Sequence, residues 1–193
     1  YTYKLINDTL KKDGEFKSFT NSWDGTSIYC EGIYKNGIKD SLWTWWHQKG
    51  SWDGEKRSKK KVKSEEGSYI SGEKIGYWTE WYENGQKRNE GSYGIGSFQI
   101  DDETKRVGYR QGEWNFWYQN GQKWRQQYHS SSSAYTNRKL GVEIGTWTAW
   151  HKNGVKACEV TFDDKQNITA KAYWNANGSE ISPNRYDGRI SNY

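Results

Sequence analysis

The sequence predicts an all-β protein: an elongated array of antiparallel β-hairpins forming one twisted meander sheet, with few or no helices. Three observations point there. Only 32% of the 193 residues are hydrophobic, against a usual ~45–50%, so no large compact core is expected. Apolar area is concentrated in 13 Trp, 15 Tyr and 5 Phe, side chains that bury much surface each and, for Trp and Tyr, keep a polar atom for hydrogen bonding. Gly is abundant at 21 while Pro occurs once, a mixture that suits strands joined by tight turns.

The chain reads as a single repeat domain spanning 1–193. Laid on itself, it repeats "SLWTWWHQKG" (Ser41 to Gly50) as "GYWTEWYENG" (Gly76 to Gly85), "GEWNFWYQNG" (Gly112 to Gly121) and "GTWTAWHKNG" (Gly145 to Gly154). The lead tryptophans Trp43, Trp78, Trp114 and Trp147 are 35, 36 and 33 residues apart, a spacing typical of repeat arrays. Hairpins are therefore expected near 16–34, 41–69, 76–93, 112–128 and 145–162. A partial one is expected at 172–182, where "YWNANG" (Tyr173 to Gly178) keeps the Trp, Asn and Gly. "NSWDG" at Asn21 to Gly25 is a fainter echo of the same pattern.

Asn-Gly between aromatic or β-branched runs is the strongest local signal for a two-residue type I′ hairpin. Such turns are expected at Asn84-Gly85, Asn120-Gly121 and Asn153-Gly154. Return strands open with Lys87, Lys123 or Lys156, and "EGIY", "EEGSY", "EGSY" and "EVTF" close four of the copies. A glycine-bearing link such as "SGEKIG" (Ser71 to Gly76) should then lead to the next hairpin. Strand alternation puts the two tryptophans of each copy on opposite faces. Two rows follow: Trp43, Trp78, Trp114 and Trp147 on one face, and Trp46, Trp81, Trp117 and Trp150 on the other.

From Glu31 to Phe162 the pattern G-x-W-x-x-W/Y-x-x-N-G-x-K, followed by E-G-x-Y-x-x-G, resembles the bacterial variant of the MORN repeat. The first copy departs from it, with Ser41 for the opening Gly and Lys49 for the turn Asn. The resemblance implies a chain of hairpins forming an elongated twisted sheet without an active site. The family's unit is shorter than the spacing here, which makes 51–63, 97–107 and 130–139 insertions expected to project from one side of the array. Family membership alone does not transfer a function.

Chemistry is sparse. His47 and His151 fill the repeat position of Tyr82 and Tyr118, so they are expected to replace packing aromatics rather than bind metal, and His129 has no ligand spacing around it. The acid pairs Glu65-Glu66, Asp101-Asp102 and Asp163-Asp164 suit solvated charge, and no nucleophile motif stands out. No catalytic residue, metal or cofactor is expected. Net charge is +5 and the pI about 9.0, which favours an acidic partner but is too weak to indicate nucleic acid. The basic run Lys56, Arg57, Lys59, Lys60, Lys61 and Lys63 is the candidate contact for such a partner. No apolar run approaches the ~20 residues of a membrane span.

Cys30 and Cys158 lie near opposite ends of the array, beyond disulfide reach of each other, leaving free thiols or an intermolecular disulfide between subunits. The absence of Met, the opening "YTYKLINDTL" and the sequons at Asn7, Asn167 and Asn177 lean towards an exported chain. An open array ends in strand edges that a protein must cap or use. The expected function is therefore non-enzymatic: an extracellular or cell-surface subunit joining copies of itself head to tail by β-strand addition into a filament or surface layer. The alternative is a soluble, cytoplasmic protein-binding scaffold, for which the resemblance implies an antitoxin or immunity role.

Overall fold

The computed structural model describes residues 2–7, 9–22, 25–48, 61–100, 103–131 and 140–182. It is a single open antiparallel sheet of thirteen strands whose order in the sheet is their order in the sequence. These are β1 (Thr2–Ile6), β2 (Thr9–Ser22), β3 (Gly25–Lys35), β4 (Ile38–Trp46), β5 (Lys63–Ile70), β6 (Glu73–Trp81), β7 (Lys87–Ile100), β8 (Glu103–Trp117), β9 (Lys123–His129), β10 (Gly145–Trp150), β11 (Lys156–Phe162), β12 (Ile168–Trp174) and β13 (Glu180–Ile181). No helix occurs among the described residues, and so none is long and apolar enough to cross a membrane.

The turns differ from expectation at the Asn-Gly pairs of the motif. Gly85 has φ +85° while Asn84 is not left-handed, whereas a type I′ turn needs positive φ at both central residues. Tyr82 accepts from the N–H of Gly85 and donates its own N–H to the Gln86 carbonyl, both at 2.9 Å. The loop therefore has three residues, a type I turn closed by a left-handed Gly bulge, and the same bonds recur around Gly121 and Gly154. The reason lies in the Asn side chain. Asn84 Oδ1 accepts from the Gln86 N–H at 3.1 Å while its Nδ2 reaches forward to the Gln119 carbonyl at 2.8 Å.

Two-residue turns with both residues left-handed occur instead at Asn36-Gly37 and Ser71-Gly72. "SGEKIG" is thus itself a hairpin turn rather than a link, and the sheet continues unbroken from copy to copy. The supposed insertion 97–107 is likewise strand. Ser97 pairs with Arg106 and Ile100 with Glu103, which lengthens β7 and β8 to 14 and 15 residues.

The segments 51–63 and 130–139 lie largely outside the described residues, but their bases are fixed. His47 donates its N–H to Val62 O at 3.0 Å at the edge carrying the Asn turns, and Ser130 donates to Val142 O at 2.8 Å at the other. The inserted segments thus leave from both edges, not one. The first follows β4 and the segment 130–139 follows β9, at the edge where β7 and β8 are also joined.

Each copy of the motif opens on a left-handed residue: Ser41 at φ +59°, Gly76 at +68°, Gly112 at +65° and Gly145 at +64°. A Cβ at these glycines would meet nothing within 4 Å, so conformation rather than space calls for glycine. An L-residue in this region costs about 1–2 kcal/mol, partly offset by the lower unfolded-state entropy of a non-glycine. Ser41→Gly is expected to raise stability by about 0.5 kcal/mol and Gly112→Ala to lower it by about 1 kcal/mol, both measured by urea unfolding.

Candidate functional site

The first tryptophan row forms the core. Trp43, Trp78 and Trp114 are 1%, 2% and 1% exposed, although the sheet is a single layer. Each indole lies flat on a glycine of the preceding strand, and a methyl group added at Gly32, Gly67 or Gly91 would sit 2.2, 2.1 or 2.3 Å from it. The indole N–H donates to backbone carbonyls: Trp43 to Ile33 at 3.1 Å, Trp78 to Ser68 at 3.2 Å and Trp114 to Ser92 at 3.1 Å. Tyr34, Tyr69 and Tyr93 meet these rings edge-on with centroids 5.0 Å apart. Lys39, Lys74 and Arg110 cover them at 4.6, 3.8 and 4.4 Å.

These contacts explain the E-G-x-Y signature, in which Gly is the seat of an indole and Tyr its side wall. The fourth copy lacks the seat. Gln127 stands opposite Trp114, where Gly91 stands opposite Trp78. Trp147 is accordingly only half-buried, and its indole N–H has no partner among the described residues.

The second row faces the other way and is roofed by the lysines that open return strands. Lys63 lies 5.9 Å from the Trp81 ring, Lys87 5.9 Å from Trp117, Lys123 5.6 Å from Trp150 and Lys156 5.3 Å from Trp174. Three of them also pair with acids three residues on: Lys63–Glu66, Lys87–Glu90 and Lys156–Glu159, at 2.5, 2.6 and 2.5 Å. Trp46, at the head of the row, is half-buried.

Neighbouring copies are tied by two further bonds at the Asn-turn edge. Asn84, Asn120 and Asn153 donate to the carbonyls of Gln119, Lys152 and Ala176 in the next turn, at 2.8, 3.3 and 2.7 Å. His47, Tyr82, Tyr118 and His151 reach the carbonyls of Trp81, Trp117, Trp150 and Trp174, all at 2.8 to 2.9 Å. A carbonyl only accepts, so the two histidines carry the proton on Nε2. They replace tyrosine as donors as well as in packing.

The cysteines do not suit a disulfide between subunits. Cys30 and Cys158 are free, 6% and 2% exposed, and set in the covered face. Burial raises both thiols, Cys158 to about 11, and so keeps them protonated and unreactive. Both are expected to resist Ellman's reagent at pH 8 in native protein and to react fully in denaturant.

Burial also pushes the Tyr69 phenol up to about 12. These groups are neutral in the fold, and the unfolded chain ionises first. Their stabilisation is complete below pH 9 and is lost as pH rises from there towards 12, which alkaline titration by circular dichroism would follow.

Of the basic run, Lys56, Arg57, Lys59 and Lys60 lie outside the described residues; Lys61 is exposed and Lys63 is engaged over Trp81. His129 is 8% exposed, with Nδ1 2.7 Å from the Gly141 carbonyl, and burial lowers its pKa. Among the described residues no three His, Cys, Asp or Glu side chains converge as metal ligands.

One place interrupts the covered face. Two residues after the lead tryptophan the copies carry Trp45, Glu80, Phe116 and Ala149, and the register aligns these in a row across the sheet. Glu80 leaves a ring's worth of space between Trp45 and Phe116. The resulting cleft of about 640 Å³ is lined by two acids, Glu80 and Glu83, two arginines, Arg88 and Arg110, and the rings of Phe116 and Trp124, with Asn89, Tyr82, Trp81, Gln119 and His47 completing it. Arg88 and Asn89 share this face because Arg88 is the extra residue of a bulge between the Glu80–Asn89 and Trp81–Lys87 pairs.

Asn89 Nδ2 donates to Glu80 Oε2 at 2.7 Å, and Arg88 lies 3.7 Å from the same oxygen. Sequence reasoning gave these residues no role. The signal it passed over was the odd residue at an aligned position.

No model of a known protein family matches the chain, and no curated protein matches it.

Proposed function

We propose that the chain is a non-enzymatic structural subunit whose copies join head to tail through their open sheet edges, building a filament or surface layer outside the cell. The observation that carries this reading is β1. It pairs with β2 alone among the described residues, leaving one backbone edge open, and Tyr3, Leu5 and Leu10 on this hairpin are 55%, 64% and 67% exposed. Open backbone beside exposed apolar side chains is a template for strand addition. Among the described residues the complementary edge is the two-residue strand β13, whose hairpin keeps the three-residue turn, with the Gly178 N–H donating to Asn175 O at 2.9 Å. Two unlike edges make a contact that propagates instead of closing.

Light scattering over a concentration series and negative-stain electron microscopy test this. Wild-type protein is expected to grow into fibres or sheets, and Leu5→Glu, which charges the open edge, to remain monomeric. A wild type that is monomeric at every concentration would refute the proposal. That outcome selects the second reading, a monomeric protein-binding scaffold of antitoxin or immunity type. Asn175 favours it. Where His47, Tyr82, Tyr118 and His151 reach forward, Asn175 Oδ1 accepts from the N–H groups of Asn177 and Ser179 at 3.3 and 3.0 Å, closing the turn on itself as a terminal repeat does.

A further inference from the structure

We infer that the cleft at Glu80 is a binding site for a carboxylate-bearing saccharide unit, such as a hexuronate residue of an acidic glycan. The gap costs the fold. Glu80 stands where sister copies carry Trp45, Phe116 and Ala149, and it pairs directly with Glu65 on β5, setting two carboxylates opposite each other. Like charges in this relation destabilise a sheet, and Lys74 beside Glu65, with Asn89 and Arg88 beside Glu80, offset that only locally. Glu80 is the one charged residue among four equivalent positions otherwise filled by Trp45, Phe116 and Ala149, and functional sites are among the places where such a departure is expected.

The lining matches one chemistry. Half-buried Trp124 provides aromatic surface for the apolar C–H face of a pyranose ring, while Phe116, 5% exposed and covered by Arg110 and Arg125 at 5.5 and 4.5 Å, forms the floor beneath. Vicinal hydroxyls both donate and accept, and the cleft supplies both partners: Glu80 keeps a second carboxylate oxygen to accept, and Asn89, one of whose amide N–H groups is bonded to Glu80 Oε2 at 2.7 Å, has the other to donate. The Trp124 indole N–H is buried without a hydrogen-bond partner among the described residues, a deficit that a bound acceptor removes.

Arg110 supplies the charge preference. Its guanidinium lies 4.4 and 5.5 Å over the Trp114 and Phe116 rings and forms no ion pair among the described residues. A planar cation held on rings presents its N–H edge to a carboxylate in bidentate fashion. A neutral sugar would leave that edge unpaired. The volume of about 640 Å³ falls among those of ligand sites. The site stands apart from β1 and does not depend on strand addition.

Isothermal titration of the full chain with tetragalacturonate, galactotetraose and a glutamate hexapeptide tests the assignment, alongside the ¹H–¹⁵N spectrum of the tryptophan side chains. Tetragalacturonate is expected to bind and shift the Trp124 indole resonance, with galactotetraose about tenfold weaker or worse. Arg110→Gln should abolish that preference. Glu80→Phe, which restores the missing ring, should abolish binding while raising the thermal midpoint, which shows that the variant is folded. Should Glu80→Phe fail to fold, Trp124→Phe, which keeps a ring but removes the N–H, should weaken binding about tenfold. Absence of tetragalacturonate binding, equal binding of the neutral tetrasaccharide or of the hexapeptide, or full binding by a folded Glu80→Phe would each overturn the inference.

Discussion

Gly67→Val is expected to destabilise the protein by about 3–5 kcal/mol, the size of losing a buried tryptophan. A side chain at this position would begin 2.1 Å from the Trp78 indole, well inside van der Waals contact. The indole has no room to retreat, since its N–H is bonded to the Ser68 and Ile75 carbonyls and its edge is held by Tyr69. Valine is a better strand former than glycine, so propensity alone gives the opposite sign, and denaturant unfolding decides between them. Combining Gly67→Val with Trp78→Ala should cost much less than the sum of the two, because both remove one seating contact.

The second large effect separates two tryptophans three residues apart on β8. Trp114→Ala is expected to cost about 3–5 kcal/mol and Trp117→Ala about 1–2 kcal/mol, read from the same unfolding curves. Trp114 is 1% exposed, seated on Gly91 and bonded to Ser92. Trp117 is half-buried, and its roof is the Lys87 ammonium at 5.9 Å, an exposed contact of modest strength. Equal losses at the two positions would mean that the rows contribute alike.

The all-β meander was legible because its markers are local. Asn-Gly pairs and alternating aromatics show in a short window, and the spacing near 35 residues shows once the chain is laid on itself. What escaped depends on neighbours from other strands. The Gly of E-G-x-Y looks like a strand ending until the indole of the following copy is laid on it, and Lys87 looks like surface charge until Trp117 is placed beneath it. Asn84 was recognised as a turn residue, but its second bond reaches Gln119, 35 residues away, which local turn preferences do not register. The turn type went astray for that reason.

The Asn36-Gly37 turn satisfied the type I′ rule in full and was passed over because it lies outside the aligned motif. The cleft at Glu80 is not visible in a single copy of the motif. Its meaning lies in the residues that replace it in the other copies. The two cysteines left free thiols and an intermolecular disulfide both open, because sequence position gave their separation along the array but not the cover over them.

Because the order of strands in space is the order of synthesis, each new strand finds its partner in the one made just before it. Every pairing closes a single connection between consecutive strands, and no early segment has to wait for a late one, which is the condition for building the sheet progressively from the amino terminus during translation. At every stage the growing sheet exposes a fresh edge for the strand that follows.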